Sequence, residues 1–333
     1  MTAQSGPPTR SRPAAALEAA AHVAGHAPSV FNTQPWRWQL SGDTLELHAD
    51  RTRALTATDP DSRLLLLSCG AALHHARVAL RAAGWDVHVE RLPQGDAADV
   101  LARITIAGAA DADRQAERMA GAITLRRTDR RAFSDRTVPE ELLIGLRRAV
   151  EAEGAYLHVV RRDQMPMLAT STARAADAES SDPAYRAELE HWTNRPVDSG
   201  DGVPAATAVQ RAPRRVPVRD YAPGAVAGLS PGDDFDLGAS YVVLFGLTDE
   251  AEALLRGGEA LSALLLAATA DGLATAPMSD TIEVQWPRHL LKGLLSGVGE
   301  PYLTIRLGYN DAAPDLPPAP RRKAADIVRI SDR

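Results

Sequence analysis

The segment GAALHHARVALRAAGW, residues 70–85, has an echo at residues 258–273, GEALSALLLAATADGL. Laid side by side without gaps, the two share Gly, Ala, Leu, Ala, Ala and Gly, and in each the bounding glycines stand 14 residues apart. One match between alanine-rich helices carries little. Each helix, however, is followed after a spacing by a strand of similar texture: LARITIAG (101–108) in one case and YLTIRLGY (302–309) in the other. The same order of elements met twice implies an internal duplication, with halves at about 14–108 and 122–330. We therefore expect a first half at 1–121 and a second at 122–333.

The rest of the chain falls into place around these two helices. Residues 13–24 predict a helix, with Pro13 suited to its first turn and Gly25 to its end. WRWQL (36–40) and TLELHA (44–49) alternate as two strands around Ser41, Gly42 and Asp43. Trp36 and Trp38 are expected to divide, one packing and one facing a ligand or solvent. The first apolar helix spans 62–83, followed by strands WDVHVERL and VLARITIAG. A charged break leads to a helix at 139–153, a strand at 155–162 and a helix near 163–179. From about 180 to 238 the chain loses periodicity and is rich in Pro, Gly, Asp and Ser, far longer than an ordinary connection, as expected of a lid or functional excursion. A buried strand (239–247), the second apolar helix and a final strand (301–310) complete the set. Helices and strands intermix without a regular βαβ beat, so the expected class is α+β.

Composition narrows the function. With 333 residues the chain can bury a large core, and a net charge of −6 gives no general attraction to nucleic acid or anionic membrane. No apolar run approaches the roughly 18 residues of a membrane span. The polar start MTAQSGPPTRSRP carries no signal core, so a cytoplasmic location is expected. The single cysteine, Cys69, excludes an internal disulfide. His74 and His75 have no acidic partner at metal-ligand spacing, and Ser68 and Cys69 lack the context of a nucleophile, so all four read as core. No glycine-rich dinucleotide or P-loop fingerprint occurs. Nothing resembles an acid–base pair or a triad, so the reactive group of an enzyme would be a cofactor's.

Three constellations carry polar chemistry. APSVFNTQPW (27–36) crowds Pro28, Ser29, Asn32, Thr33, Gln34 and Pro35 onto one loop, which is either a capped turn before a hairpin or a site. RRTDRRAF (126–133) sets four arginines beside a threonine, which is either a phosphate clamp of guanidinium forks or a solvated charge run. RRK (321–323), after PDLPPAP, is either a second cationic contribution or a basic tail.

Together these residues resemble the FMN-dependent nitroreductase superfamily. APSVFNTQPW is similar to its P-S-x-x-N-x-Q-P-W loop, RRTDR to its R-x-[ST]-x-R phosphate motif, GLATAPMSD (272–280) to its G-L-x-x-x-P segment, and GYNDAAPDLPPAPRRK (308–323) to its closing G-Y…P…R pattern. The order of the motifs, the duplication, and WTNRPVDSGDGVPAA (192–206) resemble the Acg-like branch, in which two nitroreductase units are fused in one chain. The sequence departs from many members at Ser279 and Asp280, where they have Glu-Gly, and by one extra residue before Phe133.

The resemblance implies a nitroreductase-like fold and a single-chain pseudodimer. The first half has the loop but no arginine motif, and the second has the motif but no loop, so one complete FMN site between the halves is expected. Its implied phosphate contacts are Arg126, Arg127, Thr128 and Arg130 with Arg321 or Arg322. Pro28, Ser29, Val30 and Asn32 would approach the flavin and ribityl chain, and Pro277, Met278 and Ser279 the ring edge. The implied activity is NAD(P)H-dependent reduction of a nitroaromatic, quinone or similar small-molecule acceptor. The alternatives are a flavin-sequestering or redox-sensing protein and an FMN-dependent biosynthetic dehydrogenase or oxidase. A fused pseudodimer has no need of a partner, so a monomer is favoured over a homodimer.

Overall fold

The structure is a computed structural model and describes residues 11–210, 212–221, 227–232, 235–310 and 316–331. Two sheets flank a central pair of helices. The first half runs α1 (Arg12–Ala24), β1 (Trp36–Ser41), β2 (Thr44–Ala49), α2 (Arg63–Ala82), β3 (Trp85–Arg91) and β4 (Val100–Ala109). After α3 (Arg114–Ile123) the order repeats as α4 (Glu140–Ala152), β5 (Tyr156–Val159), β6 (Ser240–Gly246), α7 (Ala251–Ala270), β7 (Ala274–Met278) and β8 (Glu300–Gly308). Between β5 and β6 lie α5 (Met165–Ser181) and α6 (Pro183–Thr193). Between β7 and β8 lie α8 (Asp280–Glu283) and α9 (Gln285–Leu294). The chain closes with α10 (Ala324–Ile327) and β9 (Val328–Ser331).

The sheets repeat as the element order does. One sheet runs β3-β4-β2-β1-β9 and the other β5-β6-β8-β7, so the four strands of each half pair in the same sequence. All six pairings within the repeated sets are antiparallel. What differs is the edge. β9, from the C-terminal end, crosses over and pairs parallel with β1, matching Trp38 with Val328.

The two helices singled out in the sequence cross at the centre. Both are 20 residues long and mostly buried. A Cβ on Gly70 would lie 2.0 Å from the Leu255 carbonyl oxygen, and one on Gly258 would lie 2.1 Å from that of Leu67. The contact is reciprocal: each glycine meets the residue three places before the other, the signature of a local two-fold. Only glycine permits so close an approach of two backbones. The Ser262 hydroxyl lies 2.8 Å from His74 Nδ1 and 2.9 Å from His75 Nδ1, and burial pushes both imidazoles down, His74 to about 3. Both histidines are core groups of the crossing.

Several expectations need correcting. Trp36 and Trp38 do not divide: residues two apart on a strand share a face, and both are fully buried in the first half's core. The region read as aperiodic contains α6, which Asp182 caps by accepting from the Ala184 and Tyr185 amides and Pro183 opens. The second apolar helix starts at Ala251, well before the glycines that marked it. Against the expectation of no such run, α7 is long and apolar enough to cross a membrane, but 78% of that stretch is buried inside the protein. Pro277 sits in β7, where an edge strand tolerates a missing N–H.

Candidate functional site

A cavity partly open to solvent lies where the opening loop meets the second half. Its floor is apolar: Leu64 and Leu67 from α2, Leu261 from α7 and Leu303 from β8. Pro28 to Asn32 form one wall, and Pro277 and Ser279 another. Gly202, Val203, Pro204, Thr207 and Tyr221 cover it from the long excursion, and Leu316, Pro317 and Ala319 from the C-terminal arm. Four guanidinium-bearing residues line it, Arg126, Arg127, Arg130 and Arg321, and among the described residues no aspartate or glutamate does.

Among the described residues the arginines are held without counter-charges. Arg126 is buried, and its Nε and Nη1 meet no acceptor. Burial pushes its pKa down, and Arg321 and Arg127 beside it add to the effect. Arg321 is pushed down by burial and by Arg127. It donates from Nη1 to Asn32 Oδ1 (2.9 Å) and from Nη2 to the His26 carbonyl (2.9 Å), leaving Nε unpartnered. Arg127 is tied to the Thr124 carbonyl at 2.7 Å, again with Nε unpartnered. His26 reports the same positive field, its pKa lowered by burial and then by Arg321, Arg127 and Arg126. Buried cations without partners are costly unless an anion joins them. Arg130 is different: it lies over the Tyr221 ring at 4.2 Å, a cation–π contact that ties this motif to the excursion.

The opening loop is a knot more than a cap. Phe31, Asn32 and Gln34 all have positive φ (49°, 54° and 50°), a conformation costly for non-glycine residues. Side chains hold them there. Ser29 Oγ accepts from the Gln34 amide at 2.9 Å. Asn32 Nδ2 donates to the Gly202 and Pro320 carbonyls at 3.1 and 3.0 Å, while Gln34 Nε2 donates to the Gly200 carbonyl at 2.8 Å. Gly200 and Gly202 have φ of 72° and 77°, and a Cβ on Gly200 would meet the Arg321 carbonyl at 2.5 Å. Loop, excursion and C-terminal arm are thereby bound to one another at the cavity's edge. Phe31 is buried with Tyr185, Leu189, Trp192 and Val203 of the excursion.

Of the residues singled out by sequence, Pro28, Ser29, Val30, Asn32, Arg126, Arg127, Thr128, Arg130, Pro277, Ser279 and Arg321 line this cavity. Met278 and Arg322 do not. Met278 borders a smaller neighbouring cavity. Arg322 turns away to the Gln34 and Trp36 carbonyls and to Asp50, 3.5 Å distant. Of the two adjacent arginines, Arg321 is the one that lines the cavity. The helix residues Leu64, Leu67 and Leu261 escape a reading of the sequence because an apolar floor carries the same pattern as a core; Ser68, expected to be core, lines the cavity and donates to the Leu64 carbonyl at 2.7 Å. Tyr221 and Thr207 lay in a stretch with no periodicity to place them.

On the other side of the crossing stands a set of ion pairs. Seven residues after Gly84 stands Arg91, and seven after Gly272 stands Ser279. Arg91 grips the buried Glu259 with Nε and Nη2 (2.7 and 2.9 Å). Arg77 bridges Glu259 and Glu153 at 2.6 and 2.5 Å.

Comparison with known proteins shows the family. The chain is 37% identical over 313 residues to "Putative NAD(P)H nitroreductase Rv3131" of Mycobacterium tuberculosis, covering 92% of this chain and 89% of that one. It is 35% identical over 315 residues to "Putative NAD(P)H nitroreductase acg" of the same species, covering 94% of each. The chain belongs to the Acg-like nitroreductase family. No family model matches it. Among solved structures it resembles the FMN and NADPH-dependent nitroreductase NfnB from sphigopyxis sp. strain HMH, at 16% identity and a TM-score of 0.42, covering 65% of this chain and 99% of that one. A nitroreductase with bound FMN from Desulfitobacterium hafniense DCB-2 gives 13% and 0.41, covering 65% and 98%. Acg-like membership fits a chain whose elements occur twice.

Proposed function

We propose that this Acg-like protein is an FMN-dependent oxidoreductase of nitroreductase type, with one FMN site between its two halves, reducing a nitroaromatic, quinone or similar small acceptor at the expense of NAD(P)H. The observation that carries the reading is the cavity whose described lining holds four arginines and no acid, with unpartnered nitrogens on Arg126, Arg127 and Arg321. Such a set suits a phosphate on a largely apolar molecule, since guanidinium forks match phosphate oxygens. The names of the relatives support the nitroreductase assignment.

In this reading Arg126 and Arg321, with Arg127, hold the phosphate, and Thr128 adds a hydroxyl. Leu64, Leu67, Leu261 and Leu303 form the apolar bed for the ring, and Pro277 and Ser279 its edge. Bound FMN would supply the two-electron chemistry, taking a hydride from the nicotinamide and passing electrons to the acceptor. The chain's own part is to bind, orient and exclude water. The reciprocal crossing at Gly70 and Gly258 and the repeated strand order support the fused pseudodimer, and the ion pairs around Glu259 support a single site.

A second reading draws on the excursion, which crosses the cavity with Pro204, Thr207 and Tyr221. If it bars nicotinamide, the protein sequesters flavin or senses redox state with little turnover. Purified protein loaded with FMN decides between them. Consumption of NAD(P)H with an acceptor supports the oxidoreductase, tight FMN without turnover supports sequestration, and absence of any flavin binding overturns both.

A further inference from the structure

The excursion is anchored near both ends: at its start by Gly200 and Gly202 on the opening loop, and at its close by Asp236, whose carboxylate receives Arg306 Nη1 at 2.7 Å. Between these points the Arg219 side chain reaches inward. Arg219 is buried, and its Nη2 donates to Glu179 of α5 at 2.8 Å and to Glu283 of α8 at 2.7 Å. Its Nη1 is 3.5 Å from Ser279 Oγ. Its guanidinium carbon lies 5.3 Å from the centre of the Phe31 ring, 5.7 Å from Tyr185 and 5.8 Å from Tyr221. One residue of the excursion thus joins the opening loop, α5, α6, α8 and the segment after β7.

Its position between cavities gives this contact a consequence. A small cavity bounded by Arg219 and Asp280 shares Tyr221, Pro277 and Ser279 with the main one. A larger outer cavity between α5, α6 and the excursion shares Val218, Arg219 and Asp280 with the small one. Arg219 therefore stands in the line from the outer cavity to the main cavity. The charges fix it there: with Arg219 in place burial still lifts Glu179 to about 8 and Asp280 to about 6, and without it Glu179, Glu283 and Asp280 would face one another with their shared cation gone.

We propose that Arg219 is a positioning residue that latches the excursion over the main cavity, and that its release joins the outer cavity to the main one and admits the electron acceptor. The inference rests on the main cavity being the flavin site. The outer cavity sets Ala176, Leu189, Pro213 and Pro217 among charged side chains such as Arg186 and Glu190, which suits a small aromatic acceptor that carries polar groups.

Hydrogen exchange of residues 212–221 tests the latch in the flavin-free protein, and the release rate of FMN tests it in the loaded one. Arg219→Ala should raise exchange in this segment at least about tenfold and speed FMN release, with exchange near Gly70 and Gly258 unchanged. Arg219→Lys, which keeps the charge, should restore much of the protection. Exchange that matches the unsubstituted protein, or an alanine and a lysine variant that behave alike, would overturn the latch. Faster exchange with unaltered FMN release would keep the latch and overturn the flavin's place in the cavity. If Arg219→Ala fails to fold, Arg219→Met with Glu179→Gln and Glu283→Gln removes the charges together; a segment as protected in that variant as in the parent overturns the proposal.

Discussion

Two places beside the crossing of α2 and α7 have opposite charge economies. On one side Arg126, Arg127, Arg130 and Arg321 line a cavity without an acid among its described residues. On the other, Arg91 and Arg77 meet Glu259 and Glu153, and the polar groups satisfy one another. The frames are alike, so the frame does not decide what binds. A set of buried cations with unspent hydrogen bonds awaits an anion, while a compensated set is a plug.

The shared frame breaks first at its centre. Replacing Gly258 by leucine drives a side chain into the Leu67 carbonyl, and Gly70→Leu does the same to that of Leu255. Each should destabilise the protein by more than about 3 kcal/mol, the upper part of the range for single substitutions. Thermal unfolding should show the two variants similarly impaired; a large loss at one and none at the other would deny that the crossing is reciprocal. Next comes the plug. Glu259→Ala leaves Arg77 and Arg91 without their shared carboxylate, and breaking a buried pair from one side costs about 3–5 kcal/mol. FMN binding should survive, because the lost carboxylate is not part of the cavity lining.

The cavity side responds in the opposite manner. Arg126→Ala should weaken FMN by about 1.5–3 kcal/mol, the worth of a charge-assisted hydrogen bond, and Arg321→Ala similarly. Stability of the flavin-free protein should hold or rise, since a buried unpaired cation is removed. Titration by flavin fluorescence, with a melting curve on the same samples, reads both. The smallest effect concerns Asp59, whose carboxylate accepts from the Leu65 amide at the start of α2. Burial raises Asp59 to about 7, with Glu283 contributing. The folded state then binds more protons than the unfolded state between about pH 4 and 7, so stability falls as pH rises through that window. In Asp59→Asn the melting temperature should fall less across it.

Sequence carried the α+β class and marked the two crossing helices and most polar residues that line the cavity, because glycines at a helix crossing and arginines on a loop leave distinct marks. It did not carry the function of each polar group in the loop. Asn32 and Gln34 spend most of their hydrogen bonds on Gly200, Gly202 and the C-terminal arm, partners more than 160 residues away along the chain. Nor could it choose Arg321 over Arg322, since adjacent residues point opposite ways only once the backbone is known. The apolar floor was hidden for the reason already given, and the excursion because loops packed by their own side chains have no period to read.

The most direct measurement is the flavin content of the purified chain after saturation with FMN, read as the ratio of flavin absorbance to protein, for the parent and for Arg126→Ala. One FMN per chain is expected, lost or strongly weakened in the variant. Two per chain would show that the ground around Glu259 is a working site after all, and one per chain held equally well by Arg126→Ala would place the flavin somewhere other than this cavity.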